Sequence, residues 1–140
     1  KGIIKKYPNS KYAKESKLKI DLVNEQLAGK HMYLARFYME KSKWISAIKR
    51  LNIILEEYPE TIYTIETLHR LVEIYYKLGN IPLAKKYAAT LGYNFNESDW
   101  YKKTYKVVVD QNYKTDTEKT KLKLRDKIKS IFKLSKWLKI

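Results

Sequence analysis

The chain has 140 residues, with 30 Lys and Arg against 15 Asp and Glu, for a net charge of +15. That is one domain's worth, enough to bury roughly two thirds of the unfolded surface. Four Gly and three Pro are too few for a turn-rich sandwich or barrel, the absence of Cys excludes disulfides and thiolate metal sites, and no apolar run approaches the roughly 18 residues of a membrane span.

In chain order, Tyr7-Pro8-Asn9-Ser10 reads as a turn with Ser10 as a helix N-cap. From Ser10 to about Lys41 there is no Pro and one Gly, Gly29. Ala13, Ile20, Leu27 and Leu34 recur every seven residues, with Val23, His31 and Tyr38 alongside, which predicts one unusually long helix or two nearly continuous ones. A second helix is expected from about Trp44 to Tyr58, with Ala47, Ile48, Leu51, Ile54 and Leu55 on its apolar face, stopped by Pro59. Thr61 is the expected cap of a third helix to about Leu78, with Leu68, Leu71, Val72 and Tyr75 inward and Gly79 as the left-handed residue after it. Asn80 and Pro82 open a fourth helix, expected to end at Gly92. Ser98 opens a fifth over Asp99 to about Asn112, where Val107-Val108-Val109 weakens helix propensity. Thr115-Asp116-Thr117-Glu118 has capping-box spacing and opens a last helix to the C-terminus. No strand pair is apparent, so the chain is expected to be all-α.

A repeat organises these helices. Ala47 and Ala84, the small residues early in two second helices, lie 37 residues apart; at that offset Leu34 matches Leu71, Ala35 Val72, Tyr38 Tyr75 and Ser42 Gly79, with His31 and Leu68 the weakest pair. This is close to the tetratricopeptide pattern, a two-helix unit of about 34 residues. The small residue sits where two helices cross most closely, and Tyr and Leu fill the grooves around it. Tyr7-Pro8-x-Ser10-x-Tyr12-x-x-Glu15-Ser16 also recurs as Tyr58-Pro59-x-Thr61-x-Tyr63-x-x-Glu66-Thr67. On this reading residues 1–97 are a repeat region that starts inside a repeat, with Ile3 and Ile4 facing a missing neighbour, and 98–140 are C-terminal helices with a basic extension. Starting at Lys1 with no Met or signal-like segment, the chain reads as a piece of something longer.

The run Tyr7-Pro8-Asn9-Ser10-Lys11-Tyr12-Ala13, the helix through Asn24-Glu25-Gln26-Leu27-Ala28, then Ala35-Arg36-Phe37-Tyr38, Trp44-Ile45-Ser46-Ala47 and Glu57-Tyr58-Pro59-Glu60-Thr61 resemble the C-terminal part of the BamD family. These are tetratricopeptide lipoproteins of the bacterial outer-membrane β-barrel assembly machine. Leu91-Gly92-Tyr93-Asn94-Phe95 through Ser98, Trp100 and Tyr101 looks like the alphaproteobacterial branch, and the likeness covers about residues 1–101. The resemblance implies a non-enzymatic scaffold that binds the periplasmic POTRA modules of BamA, other subunits of the machine and unfolded outer-membrane proteins. It implies a place at the periplasmic face of the outer membrane, reached through an N-terminal lipid anchor. The family's lipid-bearing Cys and N-terminal repeats are not in this chain, and residues from about 102 on depart from its pattern.

The residues themselves offer no catalytic constellation and no cofactor or metal site. His31 and His69 have no acidic or thiol neighbour at ligand spacing, and four isolated glycines make no phosphate loop. His31 sits at a packing position. Residues one place off the packing stripe of the first helices, Met32, Arg36 and Met39 in one repeat and His69, Glu73 and Tyr76 in the next, form an expected concave, protein-binding face. The competing reading is that they pack against C-terminal helices folded back into the groove. Ala47, Ala84, Tyr38 and Tyr75 are the expected structural repeat positions.

Of the 30 basic residues 26 are Lys, the Arg being Arg36, Arg50, Arg70 and Arg125. A surface built for nucleic acid recruits more Arg, so most of the charge reads as solvated helix faces, and nucleic acid is not the expected partner. Residues 114–140 nonetheless carry 10 basic against 3 acidic residues, with Leu124, Ile128, Ile131 and Leu138 as an apolar stripe beside Phe132 and Trp137. This amphipathic segment is expected to cap the end of a helical solenoid. The alternative function is a nucleic-acid- or anionic-membrane-binding protein acting through this helix, with Lys127, Lys129, Lys133, Lys136 and Trp137 toward a lipid surface.

Overall fold

A computed structural model describes residues 2, 6–8, 10–109 and 123–127. The described residues are helical with no strand among them, in the order α1 (Lys11–Glu40), α2 (Trp44–Glu57), α3 (Tyr63–Lys77), α4 (Ile81–Phe95) and α5 (Asp99–Val109), with 123–127 also helical. The chain divides into two compact units, residues 1–71 and 72–140. The fold is all-α with paired helices of tetratricopeptide type. The expected capping helix and the Thr115–Glu118 cap lie outside the described residues, apart from 123–127, as do Ile3, Ile4 and residues 110–112.

In the first unit α1 runs unbroken for 30 residues and packs against α2. Ser10 caps it as expected: its Oγ accepts from the Ala13 amide at 3.1 Å and donates to the Tyr7 carbonyl at 3.0 Å. The deepest face of α1 is Ala28, Met32 and Ala35, all fully buried. This corrects the seven-residue stripe, of which only Ala13 is buried; Ile20 and Leu34 are half-buried, and Val23 and Leu27 are exposed. A one-residue step turns a helix by about 100°, and the face that meets α2 lies one residue beyond the stripe. On α2 the buried residues are Ala47, Leu51 and Ile54.

The corners of the repeat superimpose hydrogen bond by hydrogen bond. After α1, Ser42 N donates to Met39 O at 2.9 Å and Lys43 N to Tyr38 O at 2.8 Å; after α3, Gly79 N donates to Tyr76 O at 3.0 Å and Asn80 N to Tyr75 O at 2.9 Å. Each pair is 37 residues from its counterpart, and Ser42 (φ 55°) and Gly79 (φ 78°) are both left-handed. These are Schellman closures. A side chain in that conformation costs about 1–2 kcal/mol, part of which glycine returns by loosening the unfolded chain. Ser42→Gly is therefore expected to stabilise by about 0.5–1 kcal/mol, and Gly79→Ala to destabilise by about 1 kcal/mol. Urea midpoints at unchanged m-value would show both.

The turn ahead of each first helix repeats too. Thr61 Oγ1 donates to Tyr58 O at 2.8 Å, as Ser10 does to Tyr7, and Ser98 Oγ donates to Phe95 O at 2.8 Å while accepting from Tyr101 N at 3.1 Å. Phe95 and Ser98 lie 37 residues after Tyr58 and Thr61, a third copy of the turn. Tyr7 and Tyr58, by contrast, are 51 residues apart, so the first repeat carries 14 extra residues, all inside α1. Thr61 stands just ahead of α3, which begins at Tyr63, and its carbonyl accepts from the Thr64 amide at 3.1 Å.

In the second unit Val72, Tyr76 and Ala84 form a core cluster, with Tyr75, Ile81, Tyr87, Ala88, Val107 and Val108 packed on it. Tyr75 and Tyr87 stack with ring centroids 5.7 Å apart. Asn80 Oδ1 caps α4 by accepting from Leu83 N at 3.3 Å, and α4 packs on α5. α4 does not end at Gly92 but continues to Phe95. Gly92 serves a close approach instead, since a Cβ there would lie 2.9 Å from the Tyr101 ring. The valine run stays helical because Val107 and Val108 have a core to pack on.

Ala47 and Ala84 are both fully buried. Ala47→Leu is expected to cost about 1–3 kcal/mol by overpacking the α1–α2 crossing. A thermal melt at the wild-type temperature would contradict the assignment of Ala47 to a close crossing.

Candidate functional site

The six residues expected on a binding face form three pairs at the repeat offset, Met32 with His69, Arg36 with Glu73, and Met39 with Tyr76. The structure buries Met32, His69 and Tyr76 and leaves them no open surface to offer a partner. For Met32 the cause is the one-residue rotation of the α1 packing face; on α3 the expected inward residues Leu68, Leu71 and Val72 are buried as well, and burial extends round the helix to His69 and Tyr76. Arg36 is exposed, and Met39 and Glu73 are half-buried.

Arg36 is committed within the molecule. Its Nε donates to Glu66 Oε1 at 3.0 Å and its Nη2 to Glu66 Oε2, a two-pronged clamp from α1 to α3. One turn along α3, Arg70 Nε donates to the same Oε1 at 3.2 Å. The Glu66 side chain is 7% exposed, against 49% for Arg36 and 26% for Arg70. Burial pushes the Glu66 carboxyl up, but the Arg36 hydrogen bond and charge, reinforced by Arg70, outweigh it and hold the group below its ordinary value. The same hydrogen bond raises Arg36. Two of the four Arg in a Lys-rich chain thus stand where a planar fork is required, around a buried carboxylate. The Glu66–Arg70 contact is legible as an i, i+4 pair; nothing in the spacing points to Arg36, which lies 30 residues away.

His31 is half-buried and stacks on Tyr58 with centroids 6.1 Å apart. Burial first, and the Arg50 charge second, push its imidazole down, favouring the neutral form. Among the described residues no group of three His, Asp or Glu could hold a metal ion, and no helix is long and apolar enough to cross a membrane. Of the lipid-surface candidates Lys127 is exposed; Lys129, Lys133, Lys136 and Trp137 lie outside the described residues.

Sequence reasoning missed a cleft in the first unit, between α1 and the turn from Tyr58 to Thr61. Its volume is about 320 Å³, and Asp21, Glu25, Glu57 and Glu60 line it with Lys17 and Tyr58. Glu25 Oε1 accepts from the Ile62 amide at 3.1 Å, tying α1 to the start of α3.

A family model described as outer membrane lipoprotein, YfiO, matches residues 1–91. The chain is 48% identical over 111 residues to outer membrane protein assembly factor BamD of Rickettsia prowazekii, covering 79% of this chain and 43% of that protein. It is 39% identical over 121 residues to the BamD of Caulobacter vibrioides, covering 86% and 40%. To the BamD of Neisseria meningitidis serogroup A it is 34% identical over 96 residues, covering 69% and 36%. The first two sources are alphaproteobacteria, the branch that the segment from Leu91 to Tyr101 resembles. The chain spans about two fifths of the length of these relatives.

Proposed function

From the premise that this chain belongs to the YfiO family of outer membrane lipoproteins, we propose that it is a non-enzymatic scaffold in the assembly of outer-membrane β-barrel proteins. It acts at the periplasmic face of the outer membrane, as part of a lipid-anchored protein. Its partners on this reading are the POTRA modules of BamA, other subunits of the machine and unfolded barrel proteins. The family match over residues 1–91 carries the proposal, because it covers the first helix pair and all but the last four residues of the second. The physics agrees with it. In the first unit the α1–α2 pair, closed by its Schellman turn and tied to α3 by the Arg36–Glu66 clamp, offers a surface already ordered before a partner arrives, which lowers the entropic cost of binding.

Of the six residues first expected on the binding face, Arg36, Met39 and Glu73 remain as the candidates for partner contact. Their test is binding of this chain to the soluble POTRA region of the matching BamA at low and physiological salt. Saturable binding that survives physiological salt and weakens on Met39→Asp is the expected result. Binding that vanishes at physiological salt, with anionic liposomes or DNA competing equally, would assign the interaction to the Lys-rich segment and overturn the proposal.

A further inference from the structure

The acidic cleft stands out against the charge of the chain. Four of only 15 acidic residues line it, with Lys17 the single cation among the lining residues. Asp21, Glu57 and Glu60 make no ion pair among the described residues, although Lys outnumbers every other residue type in the sequence. Glu25 contributes an oxygen, Oε2, that is enclosed in the cleft wall with no hydrogen-bond donor. Tyr58 lines it too, and its ring stacks on His31 with centroids 6.1 Å apart. Burial first and Glu57 second push the Tyr58 phenol up, so the ring stays neutral.

Beside the cleft the same helix carries an uncovered apolar edge. Leu18 and Leu22, each one residue on from the lining residues Lys17 and Asp21, are 70% and 61% exposed. They are one turn apart and face solvent together. Carboxylates gathered beside an aromatic residue suit an ammonium or guanidinium group, through charge-assisted hydrogen bonds and the attraction of a cation to an aromatic ring. Two leucines at the lip suit the apolar residues next to such a group.

We propose that this cleft and its Leu18–Leu22 lip dock a basic amphipathic peptide segment of a partner protein, with a Lys or Arg side chain entering among Asp21, Glu57 and Glu60 and the neighbouring apolar residues lying on the lip. The proposal does not depend on the assembly role. It selects by charge: a chain at +15 repels cationic segments over most of its surface and admits them where carboxylates gather unpaired.

The test is fluorescence anisotropy of a labelled peptide of alternating lysine and leucine, titrated with the full 140-residue chain at physiological salt. Saturable binding is expected, weakened about tenfold by the double variant Asp21→Asn, Glu60→Gln. A double variant with the same change of charge elsewhere, Glu97→Gln, Asp99→Asn, is expected to bind within about twofold of wild type, because it touches only the screened field. Acetylating the peptide lysines is expected to abolish binding. Equal weakening by both variants, undiminished binding of the acetylated peptide, or no saturable binding to the wild type would each overturn the proposal. So would a concentration-dependent dimer in sedimentation that Asp21→Asn, Glu60→Gln dissolves, since it would assign the cleft to a second copy. Asp21 and Glu60 are exposed, so the variant that tests the cleft keeps the fold, which circular dichroism melting verifies.

Discussion

Glu66→Ala is expected to destabilise the protein by about 3 kcal/mol at neutral pH, the low end for breaking a buried ion pair because Arg36 remains half in solvent. Removing the carboxylate leaves the Arg36 and Arg70 donors without their shared acceptor on α3. Arg36→Ala is expected to cost less, since Arg70 still pairs with Glu66. The effect depends on pH with a definite sign. The folded Glu66 carboxyl is held below 4.5, so its contribution is fully present above that pH and is lost as pH falls through the folded-state value. Urea unfolding of the wild type and Glu66→Gln should therefore differ most near neutrality and converge in acid. A difference that stays constant down to pH 3 would show that the carboxylate is not held by charge.

Met32→Ala is the second large effect, expected at about 2–5 kcal/mol with a matching loss of melting temperature. Met32 is fully buried between Ala28 and Ala35 on the α1 face that meets α2, and truncation leaves a cavity that this close-packed crossing closes only in part. A partner-binding methionine would behave oppositely, losing affinity with no change in melting temperature. The two readings of this residue thus separate in one thermal scan, before any partner is added.

Much of the fold was legible because its signals are local. Pro59, Gly79, Asn80 and Pro82 each act within a turn or two, so helix existence and order follow from them directly. The pairing of Ser42 with Gly79 was readable too, because both end a first helix in the same backbone conformation. The facing of the helices was harder. A seven-residue stripe on α1 is a sequence pattern with several candidates, and which of them becomes the core depends on where α2 lies, which Ala28, Met32 and Ala35 alone do not announce. α3 shows the limit most plainly: Glu66, Thr67 and His69 are buried in a helix whose composition suggests an open polar face. Burial of those groups is tolerable only with partners, and the Arg36 fork for Glu66 comes from another helix. The cleft was hidden for the same reason, since Asp21 and Glu60 meet only after α1 and the turn before α3 are brought together.

The 14 extra residues of α1 act as a spacer of defined phase. They amount to about 3.9 turns and lengthen the helix by about 21 Å while rotating its far end by only about 40° from whole turns. The Tyr7–Ser10 corner is thereby carried away from the α1–α2 crossing with its orientation nearly kept. Length along this rod is therefore free to drift in natural variants only in steps near 3, 4, 7 or 11 residues; a loss of two would swing everything ahead of it to the opposite side of the helix. Insertions and deletions in α1 among members of the family should be quantised accordingly, a record of mechanical constraint written in gap lengths rather than in residue identity.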